Sequence, residues 1–333
     1  MKKELLQYLQ CILIILAIFS CADSDTTDLT ETDKWTSFVY DPSNSLLPDK
    51  QITAISYSQI SKLWIGTTKG LVQIRDGKWK VYNVNNSGLP SDKITTLAFG
   101  ENRGIWVGTS KGLANYNGSH WFVYSNANSI ITNNTVLCSS YDSVRHWLWV
   151  GTESELIRID EITGKWYRYD MFEDNLILSM SAAPDGTIWM GLFDHLVFQG
   201  RVIQFDGMHY KRISLEQEGY PSTFPAAITV ANNNTINVLL TGTSVKAVLQ
   251  LNTQGKTELT IPGELNGLKS LMQEETSLWI GGNALALNKD TITSLFTVYP
   301  LSGSTISAMA SQSQNIKWIG TIDGGLVCLK KGI

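Results

Sequence analysis

Basic runs, a cysteine framework and a long apolar stretch are all missing from this sequence, and each absence closes off a class of function. No run of Lys or Arg longer than a pair occurs, and 26 basic against 30 acidic residues give a formal net charge of −4. A nucleic-acid partner requires concentrated positive charge, so none is expected. Cysteine occurs only 4 times. Cys11 and Cys21 fall in the N-terminal segment, which leaves Cys138 and Cys328, too few for a disulfide framework; both lie in apolar, strand-like surroundings and read as small buried hydrophobes. The 4 histidines, His120, His146, His195 and His209, fall at no metal-like spacing and have no cysteine or carboxylate cluster beside them, so neither a metal nor a cofactor is expected. There is no Gly-rich phosphate loop and no Gly-x-Ser-x-Gly elbow, hence no local catalytic motif. The most apolar segment, 5–19, is interrupted by Gln7 and Gln10 and is short for a membrane span.

What is present begins with a targeting segment. Lys2 and Lys3 precede the apolar run, and Ile18-Phe19-Ser20-Cys21 follows, then Ala22-Asp23-Ser24-Asp25. This resembles a bacterial lipoprotein signal, cut just before a cysteine that carries lipid. Phe19 departs from the small or β-branched residue usual at its place, and an ordinary cleaved signal or an uncleaved anchor would also fit the charge pattern. The resemblance implies a signal over 1–20, a lipid on Cys21 and a polar tether over 21–34. The acidic residues after Cys21 are similar to the tethers of surface-exposed Bacteroidetes lipoproteins, which implies an exported protein at the outer membrane, on its periplasmic or outer side.

The remainder, 35–333, is repetitive. "LWIGTTKGL" at 63–71 returns as "IWVGTSKGL" at 105–113, and related pentads carry Trp149, Trp189, Trp279 and Trp318. Between Trp189 and Trp279 the interval is about two periods. A second marker, an apolar residue opening a short strand, stands 12 positions before the Trp at Ile52, Ile94, Ile177 and Ile306, and 13 or 11 before it at Val136 and Leu268. Ile228 is read as such an opener, which places a seventh anchor at Leu240 in "VLLTGT", where the Trp is lost. Each unit holds four strand-like pieces, in the first unit "ITAISY", "KLWIGT", "GLVQI" and "KWKVY". Four short strands in about 40 residues describe a propeller blade, which buries its apolar faces only against neighbours. The Gly two after each Trp permits close approach, and the Gly of Lys-Gly supplies positive φ in a tight turn.

The ends complete the count. "KWTSFVY" ends at Tyr40, 12 residues before Ile52, as Tyr82 stands 12 before Ile94; it is a fourth strand arriving before any first strand. The last unit has three strands. The sequence therefore predicts an all-β, seven-bladed propeller of four-stranded blades, closed by the N-terminal strand joining the last blade. A monomer is expected.

The pairing of "LPSDKITTLAF" with "IWVGTSKGLANY" resembles the two-component regulator propeller repeat, found in periplasmic sensors of hybrid histidine kinases and related exported proteins, above all in Bacteroidetes. It covers about 35–333. The resemblance implies the fold and says little of function, since propellers host binding, scaffolding and catalysis alike. A seven-bladed lyase that inactivates streptogramin antibiotics is built from similar repeats.

A site is sought where units depart from the repeat at the channel mouth, the face on which the turn between second and third strands and the connection between blades emerge. Units one and two have plain turns at Thr68-Lys69 and Ser110-Lys111. Unit three has Glu153-Ser154-Glu155, and unit four has Phe193-Asp194-His195 with an insertion to Gly200. The stretch from Ile213 to Ile228 reads as the longest connection and holds Tyr220, Pro221, Phe224 and Pro225. Glu153, Glu155, Phe193, Asp194, His195, Tyr220 and Phe224 are the candidate ligand-binding residues, suited to a glycan or an envelope protein. Taken singly, Phe193 and Phe224 are somewhat better suited to packing the insertion onto the blade. An exported, non-catalytic binding protein is the first expectation and an exported lyase or hydrolase the second. A His and carboxylate cluster at the mouth would favour the enzyme; an aromatic shelf would favour binding.

Overall fold

The computed structural model describes residues 35–332 apart from 61, 101–103, 174, 243–245, 253–254, 260, 262–264, 289–295 and 300–304. Residues 1–34, which hold the expected signal and tether with Cys21, lie outside the described residues. Seven four-stranded antiparallel sheets follow one another, six formed from consecutive strands over 52–82, 94–124, 136–169, 175–214, 223–259 and 270–299. The seventh joins Ile306–Ser313, Ile316–Thr321 and Leu326–Lys331 to the N-terminal strand Trp35–Tyr40. The ring closes as the sequence predicts. The first strand of each blade packs on the first strand of the next, and Ile306–Ser313 returns to Ile52–Ser58, so the first strands line the central channel.

Each apolar cluster is shared by two adjacent blades. Trp64, Leu71 and Tyr82 of blade one pack with Ile94, Ile105 and Val107 of blade two, and the same exchange recurs around the ring. The Trp anchors are the wedges. Trp64 stacks on Tyr82 at 5.5 Å and meets Tyr116 of blade two edge-on at 6.0 Å. Trp149 lies 5.7 Å from both Tyr169 of its own blade and Phe205 of blade four. The glycine two residues later is demanded by close approach: a Cβ on Gly66 would stand 2.6 Å from the Ile94 side chain, and one on Gly320 would stand 2.4 Å from Ile52.

Blade five corrects the sequence reading. In blade one Ile52 pairs with Thr67 and Ser56 with Trp64, across a bulge after Ile52. In blade five the same bulge follows Pro225, Pro225 pairs with Leu240, and Thr229 pairs with Asn237. The opener is therefore Pro225, not Ile228, and the Trp position belongs to Asn237, not Leu240. Pro225 passes for a loop residue because it has no N–H to give to a ladder. It is tolerated here because the innermost strand is a sheet edge and the bulge falls beside it. A Cβ on Gly191 would stand 2.7 Å from Pro225, the same contact the other openers make. Asn237 is fully buried, accepts from Gln250 at 2.8 Å and donates to Gln273 of blade six at 3.0 Å. Two hydrogen bonds between side-chain amides thus replace an aromatic wedge.

Candidate site at the channel mouth

The turn between second and third strands is built alike in most blades. Thr67 Oγ1 donates to the Gly70 carbonyl at 2.8 Å, as Thr109 does to Gly112 and Thr321 to Gly325. Blade three keeps the device with Thr152 and the carbonyl of Glu155 at 3.3 Å, so Glu155 occupies the glycine place. Its side chain is only 1% exposed as a residue. The carboxylate accepts from the Thr132 amide and hydroxyl at 2.7 Å each and from the Asn133 amide at 3.1 Å. Glu155 thus ties the incoming connection to the turn. Glu153 remains exposed, with Asn133 Nδ2 at 3.5 Å. Beside this pair an open cleft of about 700 Å³ is lined by Ile130, Thr132, Arg168 and Asp170, among others. Arg168 Nε donates to Asp170 at 2.7 Å and lies 4.0 Å from Glu155.

Blade four abandons the tight turn. Where blade one closes at Thr67 opposite Gly70, the hairpin of blade four runs on past Leu192 and Arg201 through the pairs Phe193 with Gly200 and Asp194 with Gln199. The added pairs carry a turn, 195–198, outward beyond the level at which blade one reverses. Asp194 stabilises it: one carboxylate oxygen accepts from the Leu196 and Val197 amides at 3.0 and 3.3 Å, the other from Arg201 at 2.9 Å. Partial burial works against ionisation, but those amides and Arg201 outweigh it and hold Asp194 below the usual carboxylate range. With its carboxylate so engaged, Asp194 serves the turn.

The tip itself is apolar. Leu196, Val197 and Phe198 are 69%, 54% and 69% exposed, with His195 exposed beside them. Phe193 backs the tip, 6.1 Å from Phe198 and 5.7 Å from Phe224, both edge-on. Phe224 lies in the strand Thr223–Val230 rather than in a loop, because the register of blade five begins three residues earlier than the sequence suggested. The connection is then 215–222, shorter than 83–93 between blades one and two. A Cβ on Gly200 would stand 2.3 Å from the Thr223 carbonyl, so the hairpin lies hard against the next blade. Tyr220 packs on the core between blades four and five and donates its hydroxyl to Glu258. Burial, then the Glu258 carboxylate, push its phenol up to about 12.

The structure therefore brings Phe193 and Phe224 together, sets Asp194 and His195 beside them, uses Tyr220 for packing and commits Glu155 to the neighbouring loop. Leu196, Val197 and Phe198 escaped the sequence reading. Their signal was available, an apolar triplet where units one and two place Thr-Lys and Ser-Lys. Of the histidines, His120, His195 and His209 are exposed, and His146 lies 3.4 Å from the Tyr141 hydroxyl. Among the described residues no group of His, Cys, Asp and Glu is placed to hold a metal.

Known structures share this architecture. A catalytically inactive histidine-to-alanine variant of virginiamycin B lyase from Staphylococcus aureus, solved with quinupristin, superimposes with a TM-score of 0.71 at 14% identity, over 89% of this chain and 99% of that one. The extracellular domain of a B. thetaiotaomicron protein named as a hybrid two-component system gives 0.66 at 20% identity, over 85% of this chain but 40% of that one. YCF48 from Cyanidioschyzon merolae gives 0.65 at 14%, over 89% and 98%. At these identities the likeness is one of fold. No family model matches the sequence, and no curated protein does.

Proposed function

We propose that the chain is an exported, non-catalytic propeller, tethered through Cys21, that binds a protein partner at the channel mouth of blade four. One observation carries this reading: the hairpin of blade four projects three exposed apolar residues, Leu196, Val197 and Phe198, on a turn braced by Asp194 and Arg201. Exposing such side chains costs solubility and contributes nothing to the blade's own core, whereas a rigid apolar tip rimmed by polar groups suits a partner's pocket. Support also comes from the spent carboxylates: Asp194 and Glu155 are both engaged in turns, away from acid–base duty. YCF48, of like fold, has been solved with a D1 peptide, an instance of the architecture holding a polypeptide.

The test is photo-crosslinking from position 197 in envelopes of the producing cell. A discrete adduct is expected, lost in the double variant Leu196→Ser with Phe198→Ser while the melting temperature stays within about 2 °C, since exposed substitutions shift stability little. No adduct, or one indifferent to the substitutions, overturns the reading. The tether has its own test. Among the described residues no helix is long and apolar enough to cross a membrane. Cys21→Ala is expected to leave an uncleaved precursor or to move the protein out of the membrane fraction. Unchanged processing and partition would refute lipidation.

A further inference from the structure

Blade three departs from the repeat at positions that meet at one point, on the side of the blade away from its 153–155 turn. The residue paired with the anchor is Gln73, Asn115, Gln204 and Gln250 in blades one, two, four and five. In blade three it is Arg158, opposite Trp149. Two residues before the anchor, where those blades carry Lys62, Gly104, Thr187 and Thr235, blade three has Trp147. On the outer strand Arg158 pairs with Tyr167. The Arg158 guanidinium lies 3.9 Å from the Trp147 ring centre and 4.1 Å from that of Tyr167, held between two aromatic faces.

Among the described residues no carboxylate forms an ion pair with this guanidinium. Arg145, also on the Trp147 ring at 5.2 Å, pairs with Asp142 at 3.3 Å. For Arg158 the charge of Asp160 is felt, yet that carboxylate accepts from the Ile162 and Thr163 amides at 3.0 and 2.9 Å. Its Nε is buried with no hydrogen-bond partner among the described residues, while the side chain as a whole is half-buried, which leaves the terminal nitrogens to face outward. Gly207 of blade four borders them, and a Cβ there would stand 3.2 Å from Nη1; the glycine keeps the approach open. Aromatic faces stabilise a cation without neutralising it, and they fix the plane of the fork. A fork so fixed, with no carboxylate of its own, is prepared for two parallel bonds to an oxyanion.

We propose that Arg158, caged by Trp147 and Tyr167, binds an oxyanion, a carboxylate or sulfate group carried by a soluble ligand. Because Trp147 lies on the guanidinium, its fluorescence reports occupancy. The probes are glucuronate and inorganic sulfate at low ionic strength, with glucose as the uncharged control. A saturable change with at least one oxyanion and none with glucose is expected, and which probe acts identifies the group. Arg158→Gln, which installs the residue native to this position in three other blades, should weaken it at least about tenfold, and Arg158→Lys should fall between, having charge without the fork. No saturable response in the native protein, or one that Arg158→Gln leaves unchanged, would show the cage to be packing alone. If Arg158→Gln loses its native circular dichroism, Tyr167→Leu on the exposed outer strand replaces it: weakened binding supports the site, and undiminished binding overturns it.

Discussion

Deletion of residues 35–40 is expected to abolish cooperative folding, or at the least to lower the melting temperature by about 10 °C, although it removes one strand of the last blade only. Two losses combine. Leu326–Lys331 loses its ladder partner and becomes an open edge, prone to pair with another chain. Tyr40, which lies 5.6 Å from Trp79 of blade one and 6.2 Å from Trp318, leaves a hole at the seam. Removing a packed aromatic costs up to about 3–5 kcal/mol, each kcal/mol is worth roughly 2 °C in a domain of this size, and the loss of the six-residue ladder adds to it. Further seam contacts run from the last blade to blade one, where Ser307 Oγ donates to the Ile52 carbonyl at 2.6 Å and Gly325 N to the Lys50 carbonyl at 3.1 Å. Calorimetry of the deletion variant checks the expectation. A deletion variant that melts like the parent would mean the ring is held without its N-terminal strand.

Glu274→Ala should destabilise the protein by about 3–5 kcal/mol, whereas Lys317→Leu should change stability by about 1 kcal/mol or less, or raise it. Lys317 stands immediately before the Trp318 anchor, where blades one, three and six carry Leu63, Leu148 and Leu278. Its side chain is fully buried, with Nζ 2.6 Å from Glu274 of blade six, 3.2 Å from Ser311 Oγ and bonded to the Ser313 carbonyl. Glu274 also accepts from Ser311 at 2.6 Å. Replacing the cation by the apolar residue of the other blades leaves Glu274 with the Ser311 hydroxyl and with 19% of its side chain open to solvent, so its charge stays hydrated and little is lost. Removing the anion alone strands a buried ammonium, and that is costly. Urea unfolding of the two variants distinguishes the cases. Equal losses would show that the pair itself, rather than the stranded charge, carries the energy.

Both expectations concern contacts between blades, and there the sequence is least explicit. Within a blade it is plain. The Trp-x-Gly anchors repeat because every wedge meets the same neighbour, and the glycine repeats because a Cβ would strike the next opener. The early fourth strand ending at Tyr40 has one place to go, the blade that lacks one. Period, blade count and closure are consequently properties of the sequence alone, for a regular backbone maps spacing onto facing in a fixed way.

Packing in space takes over where that mapping breaks. In blade five a proline at a bulge hid the opener, and the anchor moved from Leu240 to Asn237, whose amide bonds to Gln250 and Gln273 depend on strands that the spacing could not align. Glu155 looked like a free carboxylate until the connection at Thr132 and Asn133 closed over it. Neither Lys317 nor Arg158 stands out along the chain; a partner on another strand or blade gives the first its Glu274 and the second its aromatic walls. The scaffold is legible along the chain because strand periodicity and turn chemistry act over a few residues. The exposure of Leu196, Val197 and Phe198, and the fate of each polar side chain near them, waited on the ring, because burial is set by whichever chain segment arrives next to them in space.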